Sequence, residues 1–317
     1  MGDITVANGE KAETLIDRET DVTFLAKAAW NYDFAGFTIN GEAVETEGDT
    51  LIYFSLHEDI NVKAIFTEKP KFDIKATATG GTVSLNGANF SASQNIKVYR
   101  DTDVTLAISA NEGYELPKVT VNGTDVTAQL QDNQLTIENI QEAKTIVLTY
   151  VKKKFQIATE PIQNGTITLS KNMVEWDDSF TATFKPATGY ELATATLNGQ
   201  DVTAQVVNNV LTVNNVKEAK TIGATFKKLK FTVTKESTQN GTITLSKDVV
   251  EWGDSFTATY TPATGYELAT ATVNGQDMTA SVVNNILTVN NVQENTIVGG
   301  TFQKQTYTVS ISGAGNL

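Results

Sequence analysis

Three Gly-Tyr-Glu triplets, beginning at Gly113, Gly189 and Gly265, lie 76 residues apart, and the residues around them recur at the same interval. A fixed period of this size marks a tandem array in which each copy is one small structural unit. Residues 154–228 and 230–304 align without a gap, with 53 identities in 75 positions. Surfaces that alike suit spacing, or one contact made many times over, better than a single catalytic cleft.

Four copies are visible. Val-Thr-Val-Asn-Gly at 119–123 returns as Ala-Thr-Leu-Asn-Gly at 195–199 and Ala-Thr-Val-Asn-Gly at 271–275, with a more distant Phe-Thr-Ile-Asn-Gly at 37–41. In that first copy Tyr32 stands where Tyr114, Tyr190 and Tyr266 stand in the others, and Val22 and Phe24 match Val104 and Leu106. The expected division is 1–69 (a divergent, N-terminally incomplete repeat), 70–153, 154–228 and 229–304. Residues 305–317 then read as the lead-in strand of a further domain, starting at Thr306-Tyr-Thr-Val-Ser-Ile-Ser. With the abrupt Met1-Gly2 start, this tail suggests a piece of a longer protein.

A unit of about 75 residues buries a thin core, and small domains of that kind often use staples. The chain has no cysteine, so disulfides are excluded. No apolar run of 18 residues exists to span a bilayer, and neither a signal peptide nor a lipidation motif is visible. The net charge of −13 disfavours nucleic acid and anionic membrane, which call for clustered Lys and Arg. It suits a soluble, self-repelling surface on near-identical neighbours, and a monomer is expected.

The third copy shows the local pattern best. Phe155, Ile157, Ile167 and Leu169 alternate with polar residues, and Gln163-Asn164-Gly165 between them reads as a hairpin turn. Phe180, Ala182 and Phe184 alternate with Thr181 and Thr183, a strand with one buried face. Pro186 and Gly189 then bend the chain toward Tyr190. Residues 192–197 form a strand turned at Asn198-Gly199, where both central residues need positive φ. Val202 and Val206 are expected on a fifth strand, Asn208-Asn209 turns again, and Ile222, Ala224 and Phe226 close the unit. Threonine-rich pleats fit this scheme, and only the 201–207 segment tolerates a short helix. The fold class is therefore all-β: a tandem array of four small β-sandwich or β-grasp-like repeat domains, six or seven strands each. The linkers, Lys152-Lys153-Lys154 and Lys227-Lys228-Leu229-Lys230, have no Gly/Ser spacer, so an elongated, semi-rigid rod is expected. Its length would be roughly 120–160 Å from strand dimensions.

The first copy, with Tyr32-Asp-Phe34-Ala-Gly36-Phe37-Thr-Ile-Asn40-Gly41 and Val62-Lys-Ala-Ile-Phe66, resembles the internalin-type B-repeat (Listeria–Bacteroides repeat) family of bacterial cell-surface proteins. The later copies, with Gly189-Tyr190-Glu191-Leu192, Asn198-Gly199 and Thr221-Ile222-Gly-Ala-Thr-Phe226, resemble its divergent branch. The likeness covers nearly the whole chain, through turn and core residues. It implies an extracellular, bacterial cell-surface location and a role as stalk or adhesive module, with no catalytic residues to carry over. The tail from Val309 to Leu317 is similar to the lead-in before leucine-rich repeats in some bacterial surface proteins.

Glu175-Trp176-Asp177-Asp178 and Glu251-Trp252-Gly253-Asp254 are the most suggestive constellations. A tryptophan flanked by carboxylates suits stacking on a sugar ring while the acids accept its hydroxyls, so Trp176, Asp178, Trp252 and Asp254 are the candidate ligand-binding residues. Against that, Trp176 shares strand parity with Phe180, Ala182 and Phe184, as a cap on the core would. The second copy carries Arg100 near this position. His57, the lone histidine, aligns with Gln141, Lys217 and Gln293 and reads as a surface-loop residue. There is no Asp-x-Asp-x-Asp-Gly calcium loop and no His/Cys cluster for zinc, so neither a metal nor a cofactor is expected. Asp125, Asp201 and Asp277, two residues after each Asn-Gly, read as turn acceptors. Tyr114, Tyr190 and Tyr266 read as rings laid on the core. The expected function is a non-catalytic stalk presenting another domain away from the envelope. The alternative is a multivalent adhesin binding a glycan or host surface protein.

Overall fold

The computed structural model describes residues 3–313, and throughout them the chain is all-β, with three single-turn 3₁₀ segments. Among the described residues no helix is long and apolar enough to cross a membrane. The chain divides into two compact units, Met1–Lys153 and Lys154–Leu317, and each holds two hydrophobic cores.

In the C-terminal unit the third repeat is a two-sheet sandwich. A five-stranded sheet runs in the order Met173–Glu175, Lys154–Thr159, Lys220–Lys228, Tyr190–Leu197, Gln200–Asp201. Against it lies a three-stranded sheet of Gly165–Leu169, Asp178–Pro186 and Val210–Val216. Ile157, Ala195 and Ile222 from the first sheet meet Phe180, Ala182, Phe184, Leu211 and Val213 from the second, which is the alternation the sequence displays. The opening and closing strands pair in parallel, Ile157 opposite Lys220. The fourth repeat repeats both sheets strand for strand. In the N-terminal unit the second repeat also combines a five- and a three-stranded sheet, with Ser93–Tyr99 on the edge beside the opening strand Lys71–Thr79.

Three local expectations differ from the structure. Asn164-Gly165 is no hairpin: the strands it joins lie in different sheets, so it is a crossover. Asn164 has the positive φ of 62°. Gly165 is needed because the closing aromatic lies on it, and an added Cβ would meet the Phe226 ring at 2.5 Å. Gly241 under Phe302 and Gly81 under Tyr150 repeat that contact. Val202 and Val206 flank a 3₁₀ turn, Thr203–Gln205, and the extra short strand is Gln200–Asp201. Eight strands result in the third and in the fourth repeat, because a three-residue and a two-residue edge were too short to announce themselves. Trp176 follows the Met173–Glu175 strand outside the core cluster, since a turn residue with positive φ, Asp177, breaks its parity with Phe180.

The first repeat is built from two three-stranded sheets, Ile4–Ala7, Val22–Lys27, Thr50–Tyr53 and Glu42–Val44, Tyr32–Ile39, Val62–Glu68. The tail from Gln305 to Gly313 is exposed and carries no ladder. The remainder of the expected lead-in, 314–317, lies outside the described residues, as does the Met1-Gly2 start.

The Asn-Gly turns at Asn40, Asn122, Asn198 and Asn274 are each locked by the asparagine's own side chain. Asn198 and Gly199 have φ of 49° and 76°, as a type I′ turn requires. Asn198 Oδ1 accepts the Thr221 N–H at 2.8 Å, and Asn40, Asn122 and Asn274 make the same bond. Two residues on, Asp201 Oδ1 accepts from the Thr203 N–H and hydroxyl at 2.8 and 2.6 Å. Thr203 Oγ1 in turn accepts the N–H of the fully buried Ala195 at 2.9 Å. The Asp125–Thr127 and Asp277–Thr279 pairs are built alike. Bonds from Thr127 hold Asp125 at a pKa of about 2, below the ordinary 3.8.

Two outcomes follow. Thr203→Val leaves the buried Ala195 N–H without its acceptor and should cost about 1–2 kcal/mol in denaturant unfolding of the third repeat; no change would remove the clamp. The Asp125 carboxyl is ionised in preference in the folded state, so its contribution is complete above pH 4 and lost as pH falls through 2. Carboxyl-detected NMR should give a midpoint near 2; a midpoint near 3.8 would contradict the bond.

Candidate functional site: the repeat junctions

The residues singled out around the two tryptophans sit where one repeat runs into the next. In the C-terminal unit the closing strand Lys220–Lys228 and the following opening strand Lys230–Lys235 are separated by Leu229 alone. Both of its backbone groups are held. The Leu229 N–H donates to Gly189 C=O at 2.9 Å, and the Trp252 N–H donates to Leu229 C=O at 2.9 Å. The first contact belongs to the third repeat and the second to the fourth.

The Trp252 indole lies on Gly189, so closely that a Cβ there would stand 2.4 Å from the ring. It also leans on Phe231 of its own repeat, ring centroids 6.1 Å apart. Gly189 thus answers two demands, a φ of +83° and a bare surface for the indole. Beside the ring, Lys228 Nζ bonds Asp254 Oδ1 at 3.1 Å, and that carboxylate raises the lysine's pKa above its usual value. Trp252 and Asp254 are therefore engaged within the chain. Trp176, half-buried, repeats the stacking on its own opening-strand phenylalanine, Phe155, at 6.1 Å. Lys217 Nζ lies 5.2 Å from the Trp176 ring centroid, and Lys171 pairs with Asp178 at 2.6 Å.

The N-terminal unit solves the same junction with charge. The Arg100 N–H donates to Pro70 C=O at 2.9 Å, and the Lys69 N–H donates to Asn31 C=O at 2.9 Å, matching the Trp252 and Leu229 bonds. The Arg100 guanidinium reaches back to Asp33 of the first repeat at 2.6 Å. Lys69 Nζ meets Asp101 at 2.8 Å, and that bond, with Gln141, holds the Asp101 carboxyl at about 2. Trp30 meets Tyr99 edge to face at 5.2 Å, and Lys71 sits over the Tyr99 ring. Arg100 thus occupies the place of the tryptophan because the junction accepts either an apolar ring on glycine or a cation on a carboxylate. The junction residues Asn31, Asp33 and Lys69 were not singled out in the sequence; Arg100, standing at a tryptophan's place, was the trace of them.

His57 lies exposed in a loop. Among the described residues no group of three or more His, Cys, Asp or Glu could hold a metal ion. A surface cleft of about 420 Å³ is lined by Val121, Val126, Gln129 and the 135–138 strand end, and its one titratable side chain is Glu138.

The sequence profile described as the divergent InlB B-repeat domain matches this chain twice in tandem, over residues 155–230 and 231–306. Those two segments are two tandem B-repeats of that family. No curated protein matches it. Among solved structures, the pilus adhesin SpaC from Lactobacillus rhamnosus GG in its open conformation is 9% identical over 89% of this chain, with a TM-score of 0.25. The chain spans 56% of that adhesin. The central fibronectin-III array of RIM-binding protein is 11% identical over 68% of this chain and 86% of its own length, with a TM-score of 0.14. At those scores neither likeness carries weight for fold or function.

The junction geometry separates two alanine variants. Gly265, at φ +80°, has open space where Gly189 has an indole. Gly265→Ala should cost about 1–2 kcal/mol from the left-handed backbone alone. Gly189→Ala should cost a further ~1–3 kcal/mol from overlap with Trp252. Equal losses in denaturant unfolding would mean the ring does not press on the glycine.

Proposed function

We propose that the chain is a non-catalytic stalk of a bacterial cell-surface or secreted protein, four repeats with boundaries near 69/70, 153/154 and 228/229 and the last ending near 304, which presents another domain away from the envelope. The observation that carries this reading is the one-residue Leu229 linker bonded from both sides, with Trp252 seated on Gly189. A spacer needs joints that resist bending, and these contacts supply it by hydrogen bonds and ring packing in place of a flexible tether. The two B-repeats at 155–230 and 231–306 support the surface location. Weight also comes from the engagement of Trp252 and Asp254 within the chain, which leaves them poorly placed to greet a ligand.

The multivalent adhesin reading rests on Trp176 and Asp178, with Trp252 and Asp254 as their counterparts, each repeat binding a glycan or host protein weakly and gaining by number. A glycan and mucin array probed with wild type and Trp176→Ala separates the two: binding lost in the variant favours the adhesin, and no binding by wild type favours the stalk.

Small-angle X-ray scattering on the full chain tests the stalk. A rod of roughly 120–160 Å should give a radius of gyration of about 40 Å. A compact particle of this length would give about 20 Å, and that value would contradict the proposal.

A further inference from the structure

One sheet face of the first repeat carries different side chains from its counterparts. Its central strand Val22–Lys27 lies between Ile4–Ala7 and Thr50–Tyr53. Val22, Phe24, Ala26 and Leu51 fill the core, so Thr23, Leu25 and Ile52 point outward. Phe54 keeps the parity of Ile52 just past its strand. Leu25, Ile52 and Phe54 are 36%, 50% and 70% exposed. The register that sets Phe24 opposite Leu51 recurs as Ala182 opposite Leu211 and Ala258 opposite Leu287. It matches the three apolar residues to Thr183, Thr212 and Asn214 in the third repeat, and to Thr259, Thr288 and Asn290 in the fourth. The sheet folds there with small polar side chains, so the fold itself does not call for Leu, Ile and Phe.

The three residues adjoin. Ile52 stands opposite Thr23, one diagonal step from Leu25, and Phe54 lies about 7 Å along from Ile52. Single exposed apolar residues are ordinary on a soluble protein, but contiguous ones mark a contact surface. Asp21 and Lys27 share the parity of Leu25 and are exposed. They stand about 20 Å apart at opposite ends of the face. The outward positions between them, Thr5, Thr23, Leu25, Thr50 and Ile52, are uncharged. The self-repulsion that a net charge of −13 brings is therefore missing from this face.

We infer that two copies of this chain pair through this face, the three-stranded sheet of one first repeat lying on that of the other. A face that is negative at one end, positive at the other and apolar between is self-complementary about a twofold axis. An axis crossing the strands above Phe24 runs the two central strands antiparallel and sets Asp21 against the partner's Lys27, and Lys27 against the partner's Asp21. The same axis sets bulky side chains on small ones: Leu25 over the partner's Thr23, and Ile52 over the partner's Thr50. Phe54 then covers the stem of the partner's Lys27 at the rim. The sheets would stack about 10 Å apart, as in a sandwich. One small sheet per copy is a contact at the low end of interface sizes, so the pairing is reversible.

Sedimentation equilibrium of the full chain over a concentration series should fit a monomer–dimer equilibrium. A Leu25→Thr, Ile52→Thr, Phe54→Asn triple variant carries the residues that the third repeat already uses at these positions. It should keep the wild-type melting temperature and remain a monomer throughout the series. Lys27→Asp changes one exposed side chain and sets two carboxylates against each other at both ends of the contact, so it should raise the dimer dissociation constant at least about tenfold. A wild type that is a monomer at every concentration, which would leave the face to a partner of another kind, would overturn the inference. So would a triple variant that pairs as the wild type does, or pairing unmoved by Lys27→Asp.

Discussion

One residue stands between the end of the third repeat and the start of the fourth, and neither of its backbone groups is free. Leu229 gives its N–H to the loop that precedes Tyr190 and receives the N–H of Trp252 on its carbonyl. Because each peptide unit is planar, bonding the groups on both sides of one Cα fixes most of the torsional freedom there. The arrangement needs the glycine loop and the tryptophan turn to arrive at the same point from different repeats. The 76-residue period, the Gly-Tyr-Glu triplet and the absence of a spacer all answer to that requirement.

The same backbone pattern supports two side-chain chemistries. Around Leu229 the contact is an aromatic ring on a bare Cα, which excludes water, with the single Lys228–Asp254 pair beside it. Around Pro70 it is a set of ion pairs, Arg100 with Asp33 and Lys69 with Asp101, all partly exposed. Exposed pairs of this kind contribute modestly and are screened by salt. The two joints therefore share a main-chain frame while differing in the side chains that cover it. Each core remains closed on itself, since Phe226, Phe302 and Tyr150 seal their own sandwiches over their own glycines.

Much of this architecture is legible in the residues. Alternation at Phe180, Ala182 and Phe184 and at Ile222, Ala224 and Phe226 states which strands have one inward face, and Asn198-Gly199 states a turn with two positive φ values. Asn164-Gly165 misleads because the same dipeptide serves a crossover, where the glycine is required by a ring 61 residues away, a contact no local pattern reveals. Short edges such as Gln200–Asp201 are invisible for a related reason: two residues cannot show a period of two. The junction was half visible. Gly189 and Trp252 recur in the sequence, but nothing local says that one lies on the other, and the tryptophan's neighbours Asp178 and Asp254 suggest a sugar platform until Lys171 and Lys228 are seen beside them.

Amide hydrogen exchange at Leu229 and Trp252 in the intact chain tests the central claim most directly. If the linker is held from both sides, both amides should exchange as slowly as those of the flanking core residues Ile222 and Val233. Exchange at the rate of an exposed loop amide such as that of His57 would mean that the repeats are tethered and not joined.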